Sequence, residues 1–226
     1  MKNKILNIDG KIITLYGNIK SGIPVIYLNT VNGEGQAVWN KCNELGCSDF
    51  ILAAVSGLNW NSDMTPWYSP AIYKGSNDFE GKAPEYLELL TNKIIPNINS
   101  HFKISPSYYT IAGYSLGGLF AYWSLFNTNA FSKCISVSGS LWYPGLLDYC
   151  TKKSLSVEPS SIYFSLGNTE HKTKNQSMAK VLSNTEQLYN LIASSHITST
   201  FDHNKGNHFS NPELRMAKGI KWSLEN

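Results

Sequence analysis

Apolar positions along this chain follow two rhythms. Short runs rich in Ile, Val, Tyr and Thr predict strands at KIITLYGN (11–18), PVIYLNT (24–30) and DFILAAVSG (49–57), the last apolar enough to be buried on both faces. Longer stretches carry helical spacing. GQAVWNKCNELG (35–46) ends on a glycine stop, and APEYLELLTNKIIPNINSHF (83–102) gathers Tyr86, Leu87, Leu90, Ile94 and Ile98 on one face. Pro84 suits the start of that helix, and Pro96 is expected to end or bend it. Further along come strand YYTIAGY (108–114), a helix from Leu116, strands KCISVSG (133–139) and SIYFSLG (161–167), and a helix across 175–195. Strand ITSTFDH (197–203) and a helix from about Asn211 complete the pattern.

Strands alternating with helices require crossover connections, and therefore a mostly parallel sheet covered on both faces. The expected fold is a three-layer α/β sandwich. With 226 residues and 42% hydrophobic composition, the chain can fill one sizeable core. No repeat, low-complexity tract or charge run marks a linker, so one domain over 1–226 is expected.

Charge and cysteine content narrow the class. The net charge is +3, nearly all the basic residues are lysines, and Arg215 is the sole arginine, which argues against nucleic acid as a partner. No apolar run of about twenty residues could span a membrane. The basic start, MKNKILNIDGK, is interrupted by Asn7, Asp9 and Lys11 before it reaches signal-peptide length, so a cytoplasmic protein is expected. Cys42, Cys47, Cys134 and Cys150 form no dense framework and read as free thiols, with a Cys42 to Cys47 disulfide as the alternative. No two histidines have ligand spacing on one helix, so neither metal nor other cofactor is expected.

The chemistry centres on GYSLG, residues 113–117. A GxSxG match alone is weak, but here a buried strand precedes it and an apolar helix follows, the setting in which a serine is held on a sharp turn. Glycines there allow a strained serine backbone and close packing of strand on helix, while the helix start aims amides and a positive dipole end at Ser115. The Leu116 amide would supply half of an oxyanion hole. The alternatives, a structural glycine turn or a phosphate loop, lack support, since there is no GxGxxG and no Lys after the glycine pair.

A serine hydroxyl needs a base within hydrogen-bond reach. His208 falls after the last strand and before the last helix, where a loop can hang its imidazole over the sheet edge. His203 lies at a strand end, and His101, His171 and His196 come earlier on helix ends or loops. Glu170, in the loop after SIYFSLG, could orient His208 and balance its charge. Asp202 falls within a strand pattern and Asp148 too early in the chain order; a Ser-His dyad without an acid is a further arrangement. The second oxyanion amide is expected after PVIYLNT, from Thr30 or Val31.

The segments GYSLGGLFAYW, SVSGSLWYPG, SLGNTEHK and GNHFSNPELR, with DMTPWYSPAIYKG and EYLELLTNKIIPNI ahead of the serine, together resemble the putative esterase family of α/β hydrolases. That family includes enterochelin esterases, feruloyl esterases and S-formylglutathione hydrolase. The resemblance spans about Ile23 to the C-terminus and implies an α/β-hydrolase fold; no long insertion stands between the sixth strand and Glu170, so an open site with only a minimal cap is expected. The resemblance also implies hydrolysis of a small-molecule carboxylic ester, with a siderophore or aryl ester as the candidates, through an acyl-enzyme, with Ser115, Glu170 and His208 at the family's catalytic positions. Trp142 and Tyr143 would border the acyl pocket. Trp67 and Tyr68, with Trp60, would form another wall from a Pro-rich loop, or else pack that loop's own core. The near absence of arginine weighs against an anionic siderophore as substrate. Two other readings share the fold: an idle binding protein that keeps the serine machinery, and an acyltransferase.

Overall fold

A hairpin that adds one strand, β1, to the seven expected opens the computed structural model, which describes residues 3–226. Strand β1 (Lys4–Ile8) pairs antiparallel with β2 (Lys11–Tyr16), and Ile8 sits opposite Lys11. Asp9 and Gly10 make the turn with φ of 48° and 78°. A two-residue turn with both φ positive favours Asp-Gly, so this dipeptide was the signal for a strand that Lys4 and Asn7 obscure in the apolar pattern.

Strand β2 is the first of the expected strands, and the other six follow: β3 (Val25–Asn29), β4 (Ile51–Ser56), β5 (Tyr109–Tyr114), β6 (Lys133–Val137), β7 (Ser161–Gly167) and β8 (Thr198–Asn204). One sheet forms in the order β1-β2-β4-β3-β5-β6-β7-β8, antiparallel at β1-β2 and β2-β4 and parallel elsewhere. The mostly parallel three-layer sandwich is therefore present.

The helices are α1 (Gly35–Glu44), α2 (Trp60–Asp63), α3 (Ala83–Leu89), α4 (Ile95–Phe102), α5 (Leu116–Ser124), α6 (Leu146–Lys152), α7 (Gln176–Ala179), α8 (Val181–Ala193) and α9 (Pro212–Glu225). Strand residues alternate between two cores. Tyr27, Ile111, Cys134 and Ile162 face α3 to α6 and α8, whereas Ile26, Ala112, Ile135 and Tyr163 face α1 and α9. Each fully buried large side chain contributes about 1.5–3 kcal/mol. Helix α5 is buried along its whole length, which explains why its sequence is apolar all round.

Two helix expectations change. Pro96 does not stop the helix; a π-helical turn, Leu90–Ile94, joins α3 to α4 and places Pro96 in the first turn of α4. The wider turn accommodates a ring that would otherwise meet the carbonyl of Asn92. The helix expected across 175–195 is broken at Lys180 into α7 and α8. Among the described residues, no helix is long and apolar enough to cross a membrane. All four cysteines are free.

Candidate active site

Parallel strands deliver their carboxyl ends, and the loops that follow, to one edge of the sheet. Ser115 follows β5, Ser138 follows β6, Glu170 follows β7 and His208 follows β8. Ser115 itself takes the unusual backbone, φ 57° and ψ −122°, while Gly113, Gly117 and Gly118 all avoid positive φ. The glycines serve another purpose. A Cβ on Gly113 would run into the backbone of Gly117, and one on Gly118 would lie 2.9 Å from Gly139 Cα. Their bare backbones let α5 press against β5 and β6, and that packing holds the strained serine at a cost of about 1–3 kcal/mol.

Three side chains from distant segments meet in one chain of hydrogen bonds. His208 Nε2 lies 3.1 Å from Ser115 Oγ, and His208 Nδ1 lies 2.8 Å from Glu170 Oε2. The Glu170 side chain is 3% exposed, and that of His208 is 26% exposed. The other carboxylate oxygen, Oε1, accepts from Ser138 Oγ at 2.7 Å, the Gly167 amide at 2.6 Å and Arg215 Nη1 at 3.0 Å. Burial by itself would push the Glu170 carboxyl up. The hydrogen bond and charge of His208, with the Ser138 and Gly167 bonds, outweigh it and hold the group below its usual range. Ser138 is also left-handed, at φ 46°, with its amide bonded to Ser165 O at 2.8 Å.

Asp202 is engaged elsewhere, accepting from Tyr163 Oη at 2.9 Å, and exposed His203 stacks near Phe201. Arg215, Ser138 and Tyr114 were missed by sequence reasoning, since nothing in their spacing marks a partner for a loop carboxylate.

The two candidates for the second oxyanion donor separate. The Thr30 amide donates to Val55 O at 2.9 Å and its hydroxyl to the same oxygen at 2.8 Å. The Val31 amide has no hydrogen-bond acceptor among the described residues, and Val31 lines the cleft. Leu116, first in α5, has no carbonyl one turn back to receive its amide.

Two lobes meet at Ser115 and His208. The first, about 510 Å³, is lined by Asn29, Val31, Glu34, Tyr114, Glu213 and Met216 among others. The second, about 330 Å³, is lined by Ile72, Tyr73, Phe79, Ser140, Trp142 and Met178 among others. Trp60 and Phe209 line both. Of the expected aromatic walls, Trp142 therefore lies at the cleft. Tyr143, Trp67 and Tyr68 do not. Tyr143 Oη donates to Trp67 O at 2.6 Å and Trp67 Nε1 to Pro144 O at 2.8 Å, so these two form a packed cluster outside the lobes. Tyr68 is 63% exposed and bonds Asp78 at 2.8 Å. The chain between β4 and α3 supplies much of the wall instead, through Trp60, Ile72, Tyr73 and Phe79. It is braced from across the cleft, where Asn175 Nδ2 donates to Ile72 O at 3.0 Å and Tyr73 Oη meets Met178 Sδ at 2.8 Å.

Comparison with known proteins adds an independent line. The family model described as "Putative esterase" matches residues 32–211. The Bacillus subtilis protein YbbA, described as uncharacterized, is 26% identical over 185 residues, covering 77% of this chain and 72% of that protein. Siderophore hydrolase EstA from Aspergillus nidulans superposes with a TM-score of 0.76 at 18% identity, over 99% of this chain and 94% of the other. An IroE-like serine hydrolase from Shewanella oneidensis superposes with a TM-score of 0.79 at 16% identity, over 99% and 80%. At such identities the structural likenesses speak for the fold.

Proposed function

This chain belongs to the Putative esterase family and is a carboxylic ester hydrolase; from that premise we propose that it works through an acyl-enzyme on Ser115. The observation that carries this reading is the unbroken run of hydrogen bonds from Ser115 Oγ through His208 to Glu170. Ser115 Oγ attacks the ester carbonyl carbon while His208 Nε2 takes its proton. Glu170 keeps the Nδ1 proton in place and stabilises the imidazolium that forms. The carbonyl oxygen, now negative, is received by the Leu116 and Val31 amides; one such donor contributes about 2.7–4 kcal/mol to the transition state. Proton return from His208 Nε2 releases the alcohol and leaves an ester on Ser115. Water then repeats the sequence with His208 as base, freeing the acid.

The lining favours a substrate without negative charge. Among the described residues, no Lys or Arg lines either lobe, whereas Glu34 and Glu213 line the first. Trp60, Phe79, Trp142 and Phe209 offer flat apolar faces to an aryl or alkyl group. An aryl ester fits this description, as does a siderophore ester that carries no net negative charge.

Treatment with a fluorophosphonate followed by mass spectrometry of the peptides tests the mechanism. Expected is one adduct, on Ser115, and loss of p-nitrophenyl acetate turnover in Ser115→Ala. An unlabelled Ser115, or full turnover in the variant, would sink it.

A further inference from the structure

The only arginine in the chain is one of its most deeply buried side chains. Arg215, on α9, is 2% exposed, and its guanidinium reaches four partners from four segments. Nη1 lies 3.0 Å from Glu170 Oε1, 3.2 Å from Ser138 Oγ and 3.3 Å from Tyr114 Oη, and Nη2 donates to Lys205 O at 3.1 Å. Tyr114 in turn donates to His208 O at 2.7 Å. The loops that carry Ser115, Glu170 and His208 thus share a single cation.

A buried ion pair is a poor device for stability alone, since well-packed apolar residues serve as well or better. Its geometry here suits a different task. A carboxylate can rotate about its last bond, and a loop glutamate held only by His208 could present either oxygen, or neither, to the imidazole. Arg215, Ser138 and the Gly167 amide all take Oε1, which leaves Oε2 to His208 Nδ1. The planar fork matters as well as the charge. Lysine would bring one point charge and could not span Glu170 and Lys205 O in the same way.

We propose that Arg215 is a positioning residue for ester hydrolysis, acting through Glu170 by fixing its Oε1 so that Oε2 is held on His208. This rests on the Ser115, His208 and Glu170 reading above.

The test is a double-mutant cycle on the full chain with Arg215→Met and Glu170→Gln, reading kcat and KM for p-nitrophenyl acetate. The far-downfield proton resonance of His208 Nδ1–H is recorded alongside. Arg215→Met is expected to lower kcat about 10²-fold with KM within about twofold, and to broaden or abolish that resonance. In the Glu170→Gln background the same change should lower kcat less than about twofold, because the group it orients is already lost. Should Arg215→Met fail to fold, Arg215→Lys decides: about a tenfold loss of kcat with a weakened resonance is expected. Additive losses in the cycle, or a folded Arg215 variant with wild-type kcat and an unchanged resonance, overturn the proposal. If the wild type neither labels on Ser115 nor turns over, the acyl-enzyme reading fails, and the resonance alone decides the role of Arg215.

Discussion

The hydroxyl of Tyr114 donates to the main-chain carbonyl of His208 at 2.7 Å, although 94 positions separate them. The residue before Ser115 therefore anchors the loop that carries His208. Removing that hydroxyl in Tyr114→Phe leaves the carbonyl without its donor, a loss of about 0.5–1.5 kcal/mol. Steady-state kinetics should show kcat/KM lower by about 3- to 10-fold with the fold retained. A wild-type kcat/KM would mean the loop holds itself.

Gly113→Ala asks whether the glycine pattern is structural. Its Cβ would run into Gly117 backbone, which lies on a helix buried on every side and cannot retreat. Thermal unfolding should report a loss of about 3 kcal/mol or more, or no soluble protein at all. Gly22→Ala is the comparison, because its Cβ would meet nothing within 4 Å and its φ of 82° leaves only backbone strain, about 1–2 kcal/mol.

Acid should weaken the fold partly through Glu170. Its carboxyl is held low in the folded state, so the stabilisation is complete above the unfolded value of about 4.3 and fades as pH falls through the lower folded value. Urea unfolding of wild type and Glu170→Gln should show a stability gap near pH 5 to 6 that narrows as pH falls below about 4. A gap that persists unchanged to pH 3 contradicts this.

Trp60 lines both lobes and also meets the helix after Ser115, where a Cβ on Gly117 would lie 3.0 Å from its ring. Trp60→Ala should cut kcat/KM for aryl esters about tenfold or more, while Tyr68→Ala, outside the lobes, should leave it within about twofold. Equal effects would misplace the cleft wall.

Substrate charge offers a separate check. Glu34 and Glu213, with no lining Lys or Arg among the described residues, should disfavour an anionic acyl or alcohol group. A p-nitrophenyl hemisuccinate is expected to turn over with kcat/KM about tenfold below that of the butyrate, and the difference should shrink with added salt. Equal rates for the two esters would remove charge from the account of specificity.

Much of this was legible in the chain because local physics wrote it there. Apolar runs and their periods located seven of the eight strands and both faces of the sheet, since burial on a parallel sheet demands them. Glycines around Ser115 announced the tight turn, and strand order put Glu170 and His208 at the same sheet edge. What escaped has no local signature. Pro96 sits inside a continuous helical stretch because a π turn opens before it, and Trp67 and Tyr143 turn to each other and away from the cleft.

By itself the sequence determined which elements form and which residues reach the functional edge, because propensity, period and turn chemistry act over a few neighbouring positions. Tertiary structure alone decided the contacts across that edge. It gave the Thr30 amide to Val55 O and left the Val31 amide without an acceptor among the described residues, and it carried Arg215 from the last helix to the far oxygen of Glu170. Such pairings depend on where loops from separate strands come to rest, and distances of a few ångströms between residues tens of positions apart are set by the packing of the whole molecule.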